Sequence, residues 1–177
     1  ETIKNVRLDV VGSSKTYDLD HSINNLVPAK DDFANLILQY ISEQDIKDRK
    51  VVFHGNLGSE KIEIIKSAHV AIQNPKGFTE AFPAAPLECM SLGVPVIASG
   101  DYGMRDTMKY FPELIVDNPK EITEKIILAT TNENYYKELV NRSIAVSQMY
   151  AFNSDAYIWK WIRLINSNFI DFEKCKE

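Results

Sequence analysis

Short apolar, β-branched runs alternate with segments of helical periodicity along this chain, and that alternation limits the folds open to it. The pattern is that of a parallel sheet whose strands are joined by helices and covered on both faces, because both faces must find apolar cover. Val6–Val11 (VRLDVV) reads as a strand closed by Gly12, and the polar stretch Ser13–Lys30 as a loop. From Asp31, apolar residues recur at Phe33, Leu36, Ile37, Tyr40 and Ile41, the stripe of an amphipathic helix. Val51–His54 is a second strand, closed by Gly55, and Ser59 can cap a short helix carrying Ile62, Ile65 and Ala68. Val70–Gln73 is a third strand, ended by Asn74-Pro75. A helix over Ala84–Leu92 with Gly93 as its stop leads into a fourth strand, Val94–Ala98. A short strand at Leu114–Val116 precedes a helix opened by Asn118 as cap, with Pro119 at the first helical position and Glu121 three residues after the cap. Helices near Glu133–Tyr150 and Asn153–Asn166 close the chain. The expectation is one α/β domain over residues 1–177, with 151–177 as a helical tail.

At 177 residues the chain can bury a substantial core, since roughly 70% of the unfolded surface is lost at this size. The net charge of −5 argues against a nucleic-acid partner, which needs clustered Lys and Arg. No apolar run approaches the length of a membrane span, and no signal peptide is expected. Two cysteines, Cys89 and Cys175, do not make a disulfide framework, so a cytoplasmic setting is expected. Cys89 sits in an apolar helical run and is expected to pack. His21, His54 and His69 are scattered without ligand spacing, so no metal is expected. The chain starts ETIKN, without an initiator methionine, and is expected to be part of something longer.

The chemistry concentrates in Thr79–Ser99, TEAFPAAPLECMSLGVPVIAS. Ligands of open parallel sheets bind beyond the carboxyl ends of the strands. That directs attention to the loops Gly12–Ser14, Gly55–Gly58, Asn74–Pro83 and Ser99–Gly103. The third leads into a helix whose free N–H groups and positive dipole end favour an anion such as phosphate. Small residues at Ala81, Ala84 and Ala85 leave it room. Glu80 and Glu88 stand eight positions apart, one entering the loop and one placed in the first helical turn. An ionised carboxylate only accepts hydrogen bonds and can take both from a vicinal diol. A nucleotide sugar then fits in parts: diol on one glutamate, diphosphate on the helix terminus, sugar hydroxyls on the other glutamate. Taken alone, Glu88 is better read as a plain first-turn helix charge and Glu80 as a solvated loop charge; it is the full string that moves the balance. A glycosidase acid–base pair is disfavoured because both acids belong to one segment.

The full string, with what precedes it, resembles the C-terminal, donor-binding domain of retaining GT-B glycosyltransferases, the glycosyl transferases group 1 family (glycosyltransferase family 4). VRLDVVGSS is similar to the family's second strand and its glycine. VVFHGNLGSEKIEIIKSAHVAIQNP is similar to the next strand, the base-contacting loop, a short helix and a strand ending in proline. Glu80 to Glu88 match the Glu-x7-Glu motif, ECMSLGVPVIAS matches the segment after it, and YAFNSDAYIWKWIRLI resembles the closing helix. The resemblance implies the C-terminal half of a GT-B fold, a Rossmann-like parallel sheet with helices on both faces, here lacking its first strand. It implies transfer of a hexose, with retained configuration, from a nucleotide-diphosphate sugar to a glycan or lipid-linked acceptor, as in polysaccharide biosynthesis, with no metal and no further cofactor. Glu80 would contact donor sugar hydroxyls and support positive charge at the anomeric carbon. Glu88 would bind the ribose diol, backbone N–H groups from Phe82 to Leu87 (Phe82, Ala84, Ala85, Leu87) would hold diphosphate, Gly12 would lie in the donor cleft, and Asn56 and Leu57 would meet the base.

The chain departs from the family where members often carry Gly and it carries Pro83, which offers no N–H. The family's first C-terminal-domain strand, with an Arg and a Lys that grip diphosphate, would precede Val6. Lys76 and Arg105 lie in suitable loops to supply positive charge. The acceptor-binding N-terminal domain is expected outside this chain, together with peripheral association with the inner face of a membrane. A catalytically inert nucleotide-sugar-binding module, or another enzyme on the same scaffold such as an epimerase or phosphorylase, stands as the alternative. A dinucleotide-binding domain is disfavoured, since no G-x-G-x-x-G follows a strand. Trp159 and Trp161 cannot share a helix face, so one is expected to pack.

Overall fold

A computed structural model describes residues 6–12, 39–75, 81, 83–149 and 154–174, the last segment in part for its backbone alone. The expected loop from Ser13 and most of the expected amphipathic helix from Asp31, residues 13–38, therefore lie outside the described residues; Tyr40 and Ile41 are described and lie just before the next helix. The chain divides into two compact units, Glu1–Ile64 and Ile65–Glu177.

In the first unit, strand β1 (Leu8–Val11) pairs in parallel with β2 (Val51–Gly55). Between them the chain forms α1 (Glu43–Lys47), which the periodicity does not reveal. Its signal is local: Ser42 caps the helix and Asp45 returns the bond to the Ser42 amide, a reciprocal box. Ile46 of α1 packs with Val51, Phe53, Val10 and Ile41 on one face of the pair. The ladder runs in register from Leu8 opposite Val51 to Val10 opposite Phe53, then slips so that Val11 faces Gly55. The extra residue is His54, and the slip is the kind that re-aims a side chain.

Helix α2 (Lys61–Ser67) leads into the second unit. There β3 (Ala71–Gln73) pairs in parallel with β4 (Val96–Ala98), with Ala71 opposite Val96 and Gln73 opposite Ala98. The crossover between them is α3 (Ala84–Ser91). Its stop is a Schellman turn: the Gly93 amide donates to Met90 at 3.0 Å and the Val94 amide to Cys89 at 3.0 Å. Gly93 has φ +78°, and a Cβ there would stand 3.3 Å from Val140. Only glycine meets both conditions.

After β4 comes a single 3-10 turn, Tyr102–Met104, running into α4 (Arg105–Met108), neither expected from the sequence. Met104, Thr107, Met108 and Phe111 are buried at the spacing of one helical face. The expected strand over Leu114–Val116 is reduced to a bridge. Pro112–Leu114 forms a 3-10 turn, then Ile115 pairs with Ala98 and the Val116 amide donates to Ala98 at 2.9 Å. Asn118 caps as expected, accepting from the Lys120 amide at 3.0 Å, and the chain passes through a 3-10 turn into α5 (Ile122–Thr130). Helix α6 (Glu133–Ser147) is capped by Asn132 and packs on α3. Its Arg142 closes the layer: Nη2 lies 2.6 Å from Glu113, which also accepts from the Tyr135 hydroxyl at 3.0 Å, and the guanidinium sits 5.3 Å from the centre of the Phe111 ring.

The last helix, α7, is Ser154–Lys174. Trp159 and Trp161 are 62% and 50% exposed, so neither is buried as the facing argument expects of one of them. Opposed faces decide which indole can be covered, not whether a cover exists. Among the described residues no helix is long and apolar enough to cross a membrane.

Candidate functional site

In the second unit the site is built where β3 and β4 end. A pocket of about 290 Å³ is lined by Gln73, Asn74, Pro83, Ala84, Ala85, Pro86 and Met104. Two features of the sequence shape it. Asn74 turns the chain sharply out of β3, with φ +37°, a left-handed conformation that Asn tolerates better than most residues. Pro83 stands in extended conformation just before α3, with ψ 106°, and its fixed φ directs the chain into the helix.

The amide inventory of this helix terminus is short. The amides at the helix start that lack an intrahelical carbonyl belong to the cap and the first three residues. Pro83 and Pro86 contribute none. That leaves Ala84 and Ala85, both exposed and both lining the pocket. The Leu87 amide is the first that helix geometry directs back to the Pro83 carbonyl. The Leu87 side chain is half-buried against the core.

Glu88 is the fifth residue of α3, and the first turn holds no acidic residue. It therefore sits one turn deeper than the first-turn placement expected from the sequence, beyond the reach of most of the dipole benefit. Being three and four positions after Ala85 and Ala84, it shares their exposed face. Cys89, next to it, is buried as expected, with Gln73 Nε2 4.0 Å from its sulfur. Arg105 opens α4 and is exposed. Glu80, Phe82 and Lys76 lie outside the described residues.

In the first unit, Gly12 and Gly55 bring the ends of β1 and β2 together, the Gly12 amide donating to Gly55 at 2.8 Å. Asn56, exposed, and Leu57, half-buried, follow at once. Beside them lies a pair that the scattered histidines did not suggest: His54 Nε2 is 2.8 Å from Asp9 Oδ1. A carboxylate only accepts, so Nε2 carries the proton of that bond. Arg7 donates to both oxygens of Asp9, through Nε to Oδ2 at 2.8 Å and through Nη2 to Oδ1, the oxygen shared with His54, at 3.0 Å. Burial pushes the Asp9 carboxyl up, but the hydrogen bonds and charges of Arg7 and His54 outweigh it and hold the group below its ordinary value. The signal in the sequence is alternation: Arg7, just before β1, and Asp9, within it, are two positions apart, and the slipped residue of β2 meets Asp9. Among the described residues no group of three His, Cys, Asp or Glu is placed to hold a metal ion.

The sequence-predicted residues thus assemble in two places, Gly12 with Asn56 and Leu57, and Ala84 and Ala85 with Glu88. Gln73, Asn74 and Met104 join the second through the fold. The family model described as "Glycosyl transferases group 1" matches residues 2–146 of the chain. No curated protein matches it.

Proposed function

The chain belongs to the glycosyl transferases group 1 family, a glycosyltransferase domain with a parallel α/β fold, and from that membership we propose that it is the donor-binding part of a retaining hexosyltransferase. The donor is a nucleotide-diphosphate sugar, and the acceptor a glycan or lipid-linked saccharide bound by a second domain of the full-length protein. The observation that carries this reading is the pocket at the start of α3, with the first-turn amides of Ala84 and Ala85, which have no intrahelical acceptor, at its wall and Glu88 one turn along the same face.

The roles follow from what each group can do. The amides of Ala84 and Ala85 hold phosphate oxygens at the positive end of α3. Glu88 accepts from the two hydroxyls of the ribose, one helical turn, about 6 Å, along the axis. Glu80 faces the hydroxyls of the transferred sugar and steadies positive charge at the anomeric carbon. Gly12, Asn56 and Leu57 offer backbone to the base. Lys76 and Arg105 add positive charge, which matters because two prolines leave the terminus with few donors. The chain on its own binds donor weakly and turns over little, since transfer needs both walls of a cleft and exclusion of water. The full-length protein works in the cytoplasm, peripheral to the membrane that carries its acceptor, and needs no metal or further cofactor.

Thermal shift with nucleoside diphosphates and their sugar conjugates tests the reading. A ligand that binds only the folded state raises Tm by mass action. At least one should do so, and Glu88→Ala should remove most of the rise, on the order of a tenfold loss of affinity for a charged hydrogen-bond pair. No shift with any nucleotide in the full-length protein would end it. An inert binding module is the second reading, favoured by Pro83 and Pro86 at the phosphate end of α3. Sugar release or transfer by the full-length protein separates the two.

A further inference from the structure

We propose that Tyr102 is the sugar-contacting wall of the α3 pocket, laying its ring against the C–H face of the hexopyranose carried by a nucleotide donor. The proposal rests on the donor-binding reading above and adds a residue that neither the motif nor the family match assigns.

Two non-glycine residues with left-handed backbone lie on the segments that follow β3 and β4, Asn74 at φ +37° and Tyr102 at φ +50°. Gln73 and Ala98 are partners in the ladder, so the segments bearing these two residues leave the same end of the same strand pair. Asn74 lines the pocket directly. Tyr102 begins the 3-10 turn whose third residue, Met104, is buried and lines it too. Tyr102 is thus two positions along the chain from a residue of the pocket wall.

Left-handed backbone is a common choice for Asn but an outlier for a bulky aromatic residue. Such outliers persist where surrounding structure over-determines them, and they gather at ligand sites. Here the surrounding structure is the buried series Met104, Thr107, Met108 and Phe111, which anchors the turn from behind. The usual return for placing a tyrosine is burial of its ring, yet Tyr102 is 61% exposed. Glycines stand two residues before it and directly after it, so the segment already carries residues that adopt this backbone freely. Strain, exposure and position together leave a ligand as the gain.

The chemistry selects which part of the ligand. Ala84 and Ala85 offer N–H groups at one wall of the pocket, which suits phosphate. Met104 adds apolar surface to that lining, and Tyr102, two residues before it, carries π surface with one phenol hydroxyl at its edge. A pyranose presents that same mixture: a flat face of C–H groups rimmed by hydroxyls. Aromatic side chains with a polar tip match it.

The test compares each nucleoside diphosphate with its sugar conjugate, by titration calorimetry on the full chain: UDP against UDP-glucose, ADP against ADP-glucose, and GDP against GDP-mannose. Tyr102→Gly should weaken the sugar conjugate about threefold to tenfold while leaving the diphosphate within about twofold. Its Tm should stay within about 2 °C of the parent, because relief of strain offsets the flexibility of glycine. Tyr102→Leu, which keeps bulk without the ring, should show the same selective loss, and Tyr102→Phe should retain most of the affinity. Should Tyr102→Gly prove unstable, the Leu and Phe pair decides alone. Equal loss for both ligands assigns the ring to the diphosphate and overturns the proposal, as does no loss for either. If the unaltered chain binds diphosphates but gains nothing from the sugar, the proposal falls while the donor-domain reading stands; if it binds no nucleotide, both fall.

Discussion

At the scale of single residues, one charge outside the motif links stability to pH. Asp9 is held between Arg7 and His54 across two strands, and its folded pKa lies below the ordinary carboxylate value. A depressed carboxylate contributes stability that is present above the unfolded pKa, about 3.9, and is lost as pH falls through the folded value. Tm measured from pH 6 downward should therefore fall more steeply in the parent than in Asp9→Asn, with the two curves converging below about pH 3. Parallel curves across that range would show that the pair contributes no linkage. The same scale explains why Asp9 and His54 were not legible as partners. They are 45 positions apart, and nothing local indicates that the ladder slips at His54. Glu88, by contrast, was legible by position within the motif, and its displacement from the first helical turn is a matter of counting from a helix start that Pro83 sets.

At the scale of elements, α3 shows how much a local rule can specify. Its stop was readable from Gly93, and the Schellman bonds to Cys89 and Met90 are made as that rule requires. What the rule does not contain is the approach of α6, which places Val140 and Ile144 against the same glycine. Gly93→Ala should cost about 1–3 kcal/mol, from left-handed backbone together with the crowding at Val140, and lower Tm by several degrees. Gly93→Ala combined with Val140→Ala separates the two causes: recovery of half or more of the loss assigns it to packing, and no recovery assigns it to the backbone. Helix α4 and the turn before it were missed for the opposite reason. Glycine and aspartate at 100–103 read as loop, while the packing residues Met104, Thr107, Met108 and Phe111 make a stripe too short to stand out before its partners are known.

At the scale of the whole molecule, the two units are unequally built. The first gathers Ile46, Val51 and Phe53 into its buried cluster, with Val10 and Ile41 partly covered. The second gathers Met90, Val96, Ile97, Phe111, Leu114 and Leu139 among a much larger set, and ties α6 to the chain before α5 through Arg142, Glu113 and Tyr135. Protection against hydrogen exchange follows local opening free energy, and that follows buried apolar contact. Amides of Val96–Ala98 should thus outlast those of Leu8–Val11, by about tenfold or more in exchange rate for each 1.4 kcal/mol of difference. Equal protection in both strands would mean that the apparent inequality of the cores does not reach their stability.

What the amino-acid order determined by itself was whatever rests on neighbours in the chain. This covers the strand and helix alternation, the Gly93 stop, the Asn118 cap and the string from Glu80 to Ser99 that marks the family. These are decided by backbone sterics and by hydrogen bonds spanning a few residues, and those forces leave their record in local sequence. The tertiary structure alone decided that Gln73, Asn74 and Met104 share a pocket with Ala84 and Ala85, that Tyr102 is strained beside it, and that Asp9 meets His54. Each of these joins segments far apart in sequence, and it is the packing of side chains from both that selects the partner, a choice no single stretch of chain contains.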